Sequence, residues 1–464
     1  MPSEGRPPGS PPASPATPGP THGDVWRIAA PLILSNISVP LLGMVDTAVM
    51  GHLDEPWYLG AVAVGATIFS FLYTGVNFLR MGTTGLAAQA CGARDGAAVR
   101  TSIGQAVIVA LAIAFVLIAL RQPAGSIALA LLGPGPEVAE FARVYFDVRI
   151  WSAPATLANY AIVGWFIGLQ NARVPLVIVL VINLTNIVLD LVFVVGLGMK
   201  TEGVALASVM AEFTGLAVGL AFVARELKRW PGQFDRAALT RIERYGPFFS
   251  VNGNLFLRTM ALMFALGFLT ARSARLGDVL LAANAILLNL QYLVSYALDG
   301  LAHAAEALVG KAMGERSREN LRRAVRLSLL WSLAVAVVFS LFYALAGPAI
   351  IRLLTELPEV VRAALTYLPW MVASPVVSVW SFLYDGVFVG ATRAREMRNI
   401  MVLSAFGVFV PVWFLSQPWG NHGLWFAFLA FMGARGIGMH WYYRRVVAEP
   451  WPTRKRYDER SAAP

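Results

Sequence analysis

Two acids and three amides stand inside segments that are otherwise apolar, and their spacing is helical. In the segment running from Ile28 through "PLILSNISVPLLGMVDTAVM", Asn36, Gly43 and Asp46 fall at i, i+7 and i+10 on one helical face. In "NLTNIVLD", Asn183, Asn186 and Asp190 fall at i, i+3 and i+7, again on one face. A carboxylate at mid-bilayer costs about 3 kcal/mol on insertion scales, so one that is retained is expected to face a wet cavity or to hold a proton. The chemistry open to it is reversible binding of H+ or another cation. Amides in such helices also hydrogen-bond from helix to helix, which is the structural alternative for the asparagines. Counted from Arg27, Asp46 lies about 28 Å along its helix, and Asp190 lies about 22 Å beyond Pro175, so the two acids reach a similar depth. Pro40 removes a backbone hydrogen bond between them and the helix start, and is read either as a bending point or as a static kink.

The second half of the chain offers a different set: Arg258, Asp299, His303, Glu306 and Asp385, with Asp299 and His303 paired at i, i+4. Glu306 is expected near the end of its segment as a solvated cap or ion pair, and His303 as a hydrogen-bonded helix residue. Arg80 and Arg149, near the ends of segments in the first half, either neutralise an acid or snorkel to an interface. No residue set points to a catalytic centre or a metal site. The single cysteine, Cys91, leaves no internal disulfide and no thiolate cluster, and reads as a small packing residue.

The elements that must position these residues are membrane helices. Of 464 residues 57% are hydrophobic and 14% charged, with a mean hydropathy of +0.62, against roughly 25% charged in an ordinary soluble domain. Apolar runs are continuous rather than alternating, which indicates helices and not a barrel. Twelve are expected, near 26–51, 58–83, 99–121, 138–168, 175–198, 203–225, 245–271, 279–304, 324–347, 361–391, 398–416 and 421–443. If the tails and every second loop share one side, that side holds 26 of the 37 Lys and Arg and the other holds 7. The positive-inside rule then puts both termini in the cytoplasm, with the body in the cell (inner) membrane. The net charge of +10 is explained by this orientation, and no nucleic-acid partner is expected.

The chain also repeats. "LGAVAVGATIF" from Leu59 resembles "LAANAILLNLQ" from Leu281, "AQACGAR" lines up with "GKAMGER", and "GLQNAR" from Gly168 lines up with "GATRAR" from Gly390, all at an offset of 222 residues. The expected plan is an all-α integral membrane protein of two six-helix lobes, 25–225 and 245–446, related by a pseudo-two-fold axis along the membrane normal. A cytoplasmic connector, 226–244, joins them. Residues 1–24, rich in Pro, Ser and Gly with no apolar core, are expected to be a disordered cytoplasmic tail rather than a signal peptide, and 447–464 a basic one. Two matching bundles that rock about a shared cavity give alternating access; a duplicated scaffold without transport is the bland alternative.

"VDTAVMGHLDEPWYLGAVAVGATIFSFLYTGVNFLRMGTTGLAAQACGA", "NIVLDLVFVVGLG" and "DGLAHAAEALVGKAMG" resemble the multidrug and toxic compound extrusion (MATE) family, in its DinF-like branch, and the likeness runs from about residue 24 to 446. The resemblance implies a twelve-helix antiporter that exports cationic or amphipathic drugs and toxins against an inward flow of protons, with sodium ions as the alternative coupling ion and no other cofactor. It places the family's first-helix aspartate on Asp46 and its fifth-helix pair on Asn186 and Asp190. The first helix of the second half, "FFSVNGNLFLRTMALMFALGF", carries no carboxylate, so a cation site on it is not expected. A monomer in the bilayer with a small-molecule substrate is expected. The rival within transport is a flippase for lipid-linked or amphipathic molecules, which a basic cavity lined by Arg80, Arg149 and Arg258 would favour. A membrane-embedded prenyltransferase, using "NIVLD" in a magnesium site, lacks the second acidic motif that diphosphate chemistry needs.

Overall fold

The computed structural model describes residues 19–51 and 55–448, with side chains described throughout except at Val39, Leu41, Leu42, Met44, residues 46–50, Val446 and Ala448. Most of the two expected tails falls outside these residues.

The first lobe is built from α1 (His22–Met50), α2 (Pro56–Val76) continued by α3 (Phe78–Gly92), α4 (Gly96–Ala119), α5 (Arg121–Leu132), α6 (Pro136–Arg149) continued by α7 (Ala153–Gly168), α8 (Arg173–Asp190) and α9 (Thr201–Leu227). A short α10 (Arg236–Thr240) lies in the connector. The second lobe comprises α11 (Gly246–Arg275), α12 (Asp278–Gly314), α13 (Arg318–Leu354), α14 (Pro358–Gly390), α15 (Ala394–Val402) continued through a π turn by α16 (Val410–Ser416), and α17 (Asn421–Ala448). Taking continued helices as one, each lobe crosses the membrane six times. Among the described residues nine of the helices meet length and apolarity criteria for a span on their own.

Local signals set the helix starts. Pro occupies the first turn of α2, α6, α11 and α14, where a missing N–H costs nothing. The 222-residue repeat is visible in the caps. Arg94 and Arg316 both take φ 55°, and the residues that follow, Asp95 and Ser317, both accept from a backbone N–H three residues on. Gln170 and Thr392, also 222 apart, take φ 61° and 55°.

Glycines let the backbones meet, and they too come in matched pairs. Within the lobes, a Cβ on Gly164 would lie 2.3 Å from Arg80 O and one on Gly386 2.1 Å from Ala302 O; Gly168 and Gly390 repeat the pattern against Thr84 O and Glu306 O. Between the lobes, a Cβ on Gly92 would lie 2.0 Å from Lys311 O, and one on Gly314 2.0 Å from Gln89 O. Since 89 pairs with 311 and 92 with 314, the pseudo-two-fold axis passes between α3 and α12. Gln89 Nε2 donates across this seam to Thr392 Oγ1 (3.1 Å), and Lys311 Nζ donates to Gln170 Oε1 (3.4 Å), a contact and its symmetry mate.

Two features differ from expectation. The second and eighth spans were expected to stop near residues 83 and 304, but the helices run on to Gly92 and Gly314, because their polar inner ends are sheltered by the opposite lobe rather than by lipid. α5 was not foreseen: its exposed Ile127, Leu131 and Leu132 lie on a helix too short to span, which Arg143 of α6 anchors by donating to Gln122 O and Ser126 Oγ.

Candidate functional site

The first-lobe stripe is assembled where α8 packs between α1 and α9. Asn183 Nδ2 donates to Ser38 O (3.2 Å) and Oγ (3.0 Å), tying α8 to α1. One turn on, Asn186 Nδ2 reaches Ser208 Oγ of α9 at 3.4 Å. Asp190 ends α8, wholly buried, where the helix passes into a π turn over Leu191–Gly196. π turns inside α-helices are frequent at functional sites. Asp46 lies four residues before the end of α1; its side chain is outside the described residues. Pro40 sits within α1, which continues through it and through Pro31 as one helix. Asn36 points elsewhere: its Nδ2 donates to Tyr296 O of α12, across to the second lobe (3.1 Å).

Sequence reading passed over α9's contribution. Glu212, beside the buried Asn159 of α7, accepts from Asn159 Nδ2 at Oε2 (2.9 Å) and at its own backbone O (3.1 Å). Nearby Tyr73 OH and Ser152 Oγ are 2.8 Å apart. The signal was present, since Glu212 is the sole acid within "VALASVMAEFTGLAVGL".

The second-lobe residues form a charged chain that begins at the seam. His303 Nδ1 lies 3.5 Å from Arg80 Nη1 of the first lobe and 3.3 Å from Glu306 Oε2. Asp299, one turn before His303, stands within electrostatic reach of His303, Arg80, Arg258 and Asp385. Asp385 of α14 accepts at the same Oδ2 from Arg258 of α11 and from Arg435 Nη2 of α17 (2.8 Å). Three arginines thus meet three acids with an imidazole between. Glu306 corrects the sequence expectation: it is 1% exposed rather than solvated, because α12 extends about 12 Å past it and Gly390 brings α14 onto its backbone. His303 is hydrogen-bonded, as expected. Among the described residues no group of three or more His, Cys, Asp or Glu could hold a metal ion.

Interlobe hydrogen bonds to α12 fall in its half between Tyr296 and Gly314, the half that ends on the side of the termini, and Gln89 adds its bonds to Gly390 O and Thr392 at the end of α14. A single apolar core there unites Val25, Ile28 and Leu32 of α1 with Leu301, Leu308, Leu383 and Val387. The two lobes are packed together on the terminus side.

Comparison with known proteins agrees with this architecture. The family model described as MatE matches residues 31–192 and 256–415. DNA damage-inducible protein F of Escherichia coli (strain K12) is 44% identical over 433 residues, covering 91% of this chain and 92% of that protein. Probable multidrug resistance protein NorM of Thermotoga maritima is 25% identical over 355 residues, 73% of each. A structure described as the outward-facing conformation of a multidrug resistance MATE family transporter of the MOP superfamily superposes with a TM-score of 0.83 at 20% identity, covering 92% of this chain and 96% of that one.

Proposed function

The chain belongs to the multidrug and toxic compound extrusion (MATE) family, in its DinF-like branch, and on that premise we propose that it is a secondary active antiporter. It exports cationic or amphipathic drugs and toxins in exchange for protons, by alternating access, as a monomer in the inner membrane with both termini in the cytoplasm. The observation that carries the reading is the stripe on α8. Asn183 binds α8 to the helix that bears Asp46, and Asn186 binds it to α9, so the stripe that ends in Asp190 ties three helices together through side-chain hydrogen bonds. In this reading Asp46 is the exchanging group, and Asn186 and Asp190 belong to the same polar network, as the family resemblance implies. It holds a proton or faces the cationic substrate, and a proton arriving from outside displaces the drug. Bending at Pro40 would let α1 follow that exchange.

The terminus-side packing supports an orientation in which this state opens outward. For a neutral substrate, one proton falling through 100 mV supplies about 2.3 kcal/mol, roughly a fifty-fold gradient. Arg258 is taken up by Asp385 and Arg80 by its contacts with Asn77 and His303, which favours the antiporter over the flippase that a free basic cavity would suit. The test is export of cationic dyes from proteoliposomes under an imposed pH gradient and then a sodium gradient. Wild-type protein responds to the pH gradient and Asp46→Asn loses export while inserting normally; undiminished export by that variant overturns the reading.

A further inference from the structure

α9 supplies a carboxylate that the exchange described above does not use. Ser208, Glu212, Gly215 and Gly219 fall at i, i+4, i+7 and i+11, one ridge of the helix. The ridge faces the interior of the lobe: Ser208 accepts from Asn186 of α8, and a Cβ on Gly215 would lie 2.4 Å from Ile182 of α8 and 3.4 Å from Asn159 Nδ2 of α7. Glu212 is therefore one turn, about 6 Å, from the Asn186–Ser208 contact. Among the described residues Glu212 forms no ion pair; it is held by the amide of Asn159, with the hydroxyl of Thr156 as a second hydrogen-bonding partner. The charged and titratable groups around it are Tyr73 of α2, Arg149 at the end of α6 and Tyr160 of α7, and α8 contributes Asp190 beyond Asn186.

Depth gives this acid a place in the exchange. Ser208 lies about 10 Å and Glu212 about 16 Å from the start of α9 on the face away from the termini, so Glu212 stands near the middle of an apolar layer about 30 Å thick. Asp190, Ser208 and Glu212 make a descending series of polar groups from that face to the midplane. An acid at that depth, held by a neutral amide and a hydroxyl, is suited to gaining and losing a proton. Exchange of one proton for one monovalent cation moves no net charge, so the membrane potential does no work on it. A second proton-binding acid changes this, and each 100 mV then supports about a fifty-fold cation gradient.

We propose that Glu212 is a second proton-binding carboxylate of the first lobe, so that two protons enter for each monovalent organic cation exported. The proposal rests on the antiport reading above. Asp46 and Glu212 each take one H+ from outside and each release one inside, where the cation binds the site they vacate; one net positive charge moves inward per cycle.

The experiment uses full-length protein in proteoliposomes with ethidium as the monovalent cation. It is driven either by a valinomycin-set potassium potential at equal pH or by a pH gradient at zero potential. Wild-type protein is expected to answer both drives. Glu212→Gln is expected to lose the response to potential while keeping that to the pH gradient, and Glu212→Asp to keep both. If Glu212→Gln elutes aggregated, Glu212→Met, neutral and of similar length, takes its place. A neutral variant that answers potential as wild type does, a monodisperse one that answers neither drive, or a wild type blind to potential would each overturn the proposal. Asp46→Asn is run alongside. Wild-type exchange by that variant would instead refute the antiport reading, whatever Glu212→Gln does.

Discussion

At the scale of single residues, the fate of each polar group is decided by what it meets across helices. Asp385 holds two guanidinium groups in a largely buried cluster, with Arg435 2% exposed. Removing one member of such a set leaves a buried charge uncompensated, at a cost of about 3–5 kcal/mol, whereas replacing all members by apolar residues of similar volume is close to neutral. Asp385→Ala is therefore expected to lower the unfolding midpoint of the detergent-solubilised protein sharply, and the triple variant Asp385→Leu, Arg258→Met, Arg435→Met to recover most of the loss. A triple variant no more stable than the single one would show that the charges serve more than mutual neutralisation. The helical stripe Asn183, Asn186, Asp190 was legible, because period 3.6 puts those residues on one face whatever the fold. The Arg258–Asp385–Arg435 set was not, because its members are 127 and 50 residues apart in the chain and only packing joins them. Glu306 was misread for the same reason: nothing local to it announces that a second helix covers it.

At the scale of elements, the seam between α3 and α12 is where backbone geometry leaves least room. A methyl group at Gly92 would stand 2.0 Å from Lys311 O, a main-chain atom that cannot swing aside. Gly92→Ala is expected to cost about 1–3 kcal/mol and to part the inner ends of the lobes. Spin labels at positions 94 and 316, in a Cys91→Ser background, would report this as a longer and broader distance distribution. Gly267→Ala, at a helix position with no atom within 4 Å, is the control and should leave both stability and distance unchanged or slightly raise stability. A second prediction concerns the start of α1. Partial burial alone would raise the Asp24 carboxyl, but the hydrogen bonds from Thr21 and the charge of Arg27 outweigh it and hold it below the ordinary 3.8. A depressed carboxyl stabilises the fold above its unfolded value and loses that contribution as pH falls through the folded one. Asp24→Ala should thus destabilise at pH 7, and the difference from wild type should shrink as pH falls below 3.8 and through the depressed folded value. The repeat at offset 222 was legible in letters and proved exact in φ angles and glycine contacts at 94/316 and 92/314. The lengths of α3 and α12 were not, because hydropathy marks where lipid ends and not where a partner helix takes over. α5 escaped because twelve residues of mixed polarity carry no spanning signal.

At the scale of the whole molecule, two six-helix lobes meet along one half of their height, and the acids of the first lobe lie toward the other half. On the antiport reading proposed above, the α3–α12 seam would have to break for the cycle to be completed. Composition and the count of apolar runs made the twelve-helix plan legible, since a chain with 14% charged residues has few other places to be. Which half of the interface is packed was beyond reach, because that packing depends on contacts between segments more than 200 residues apart, such as Asn36 with Tyr296. The central claim is that a carboxylate on α1 gives up a proton as the cation binds. The most direct measurement is the pH change of a weakly buffered detergent solution when ethidium is added to purified protein. Wild-type protein should release protons in proportion to bound cation, and Asp46→Asn should release fewer or none. Cation binding with no proton release by the wild type, or with release unchanged in Asp46→Asn, would contradict the account.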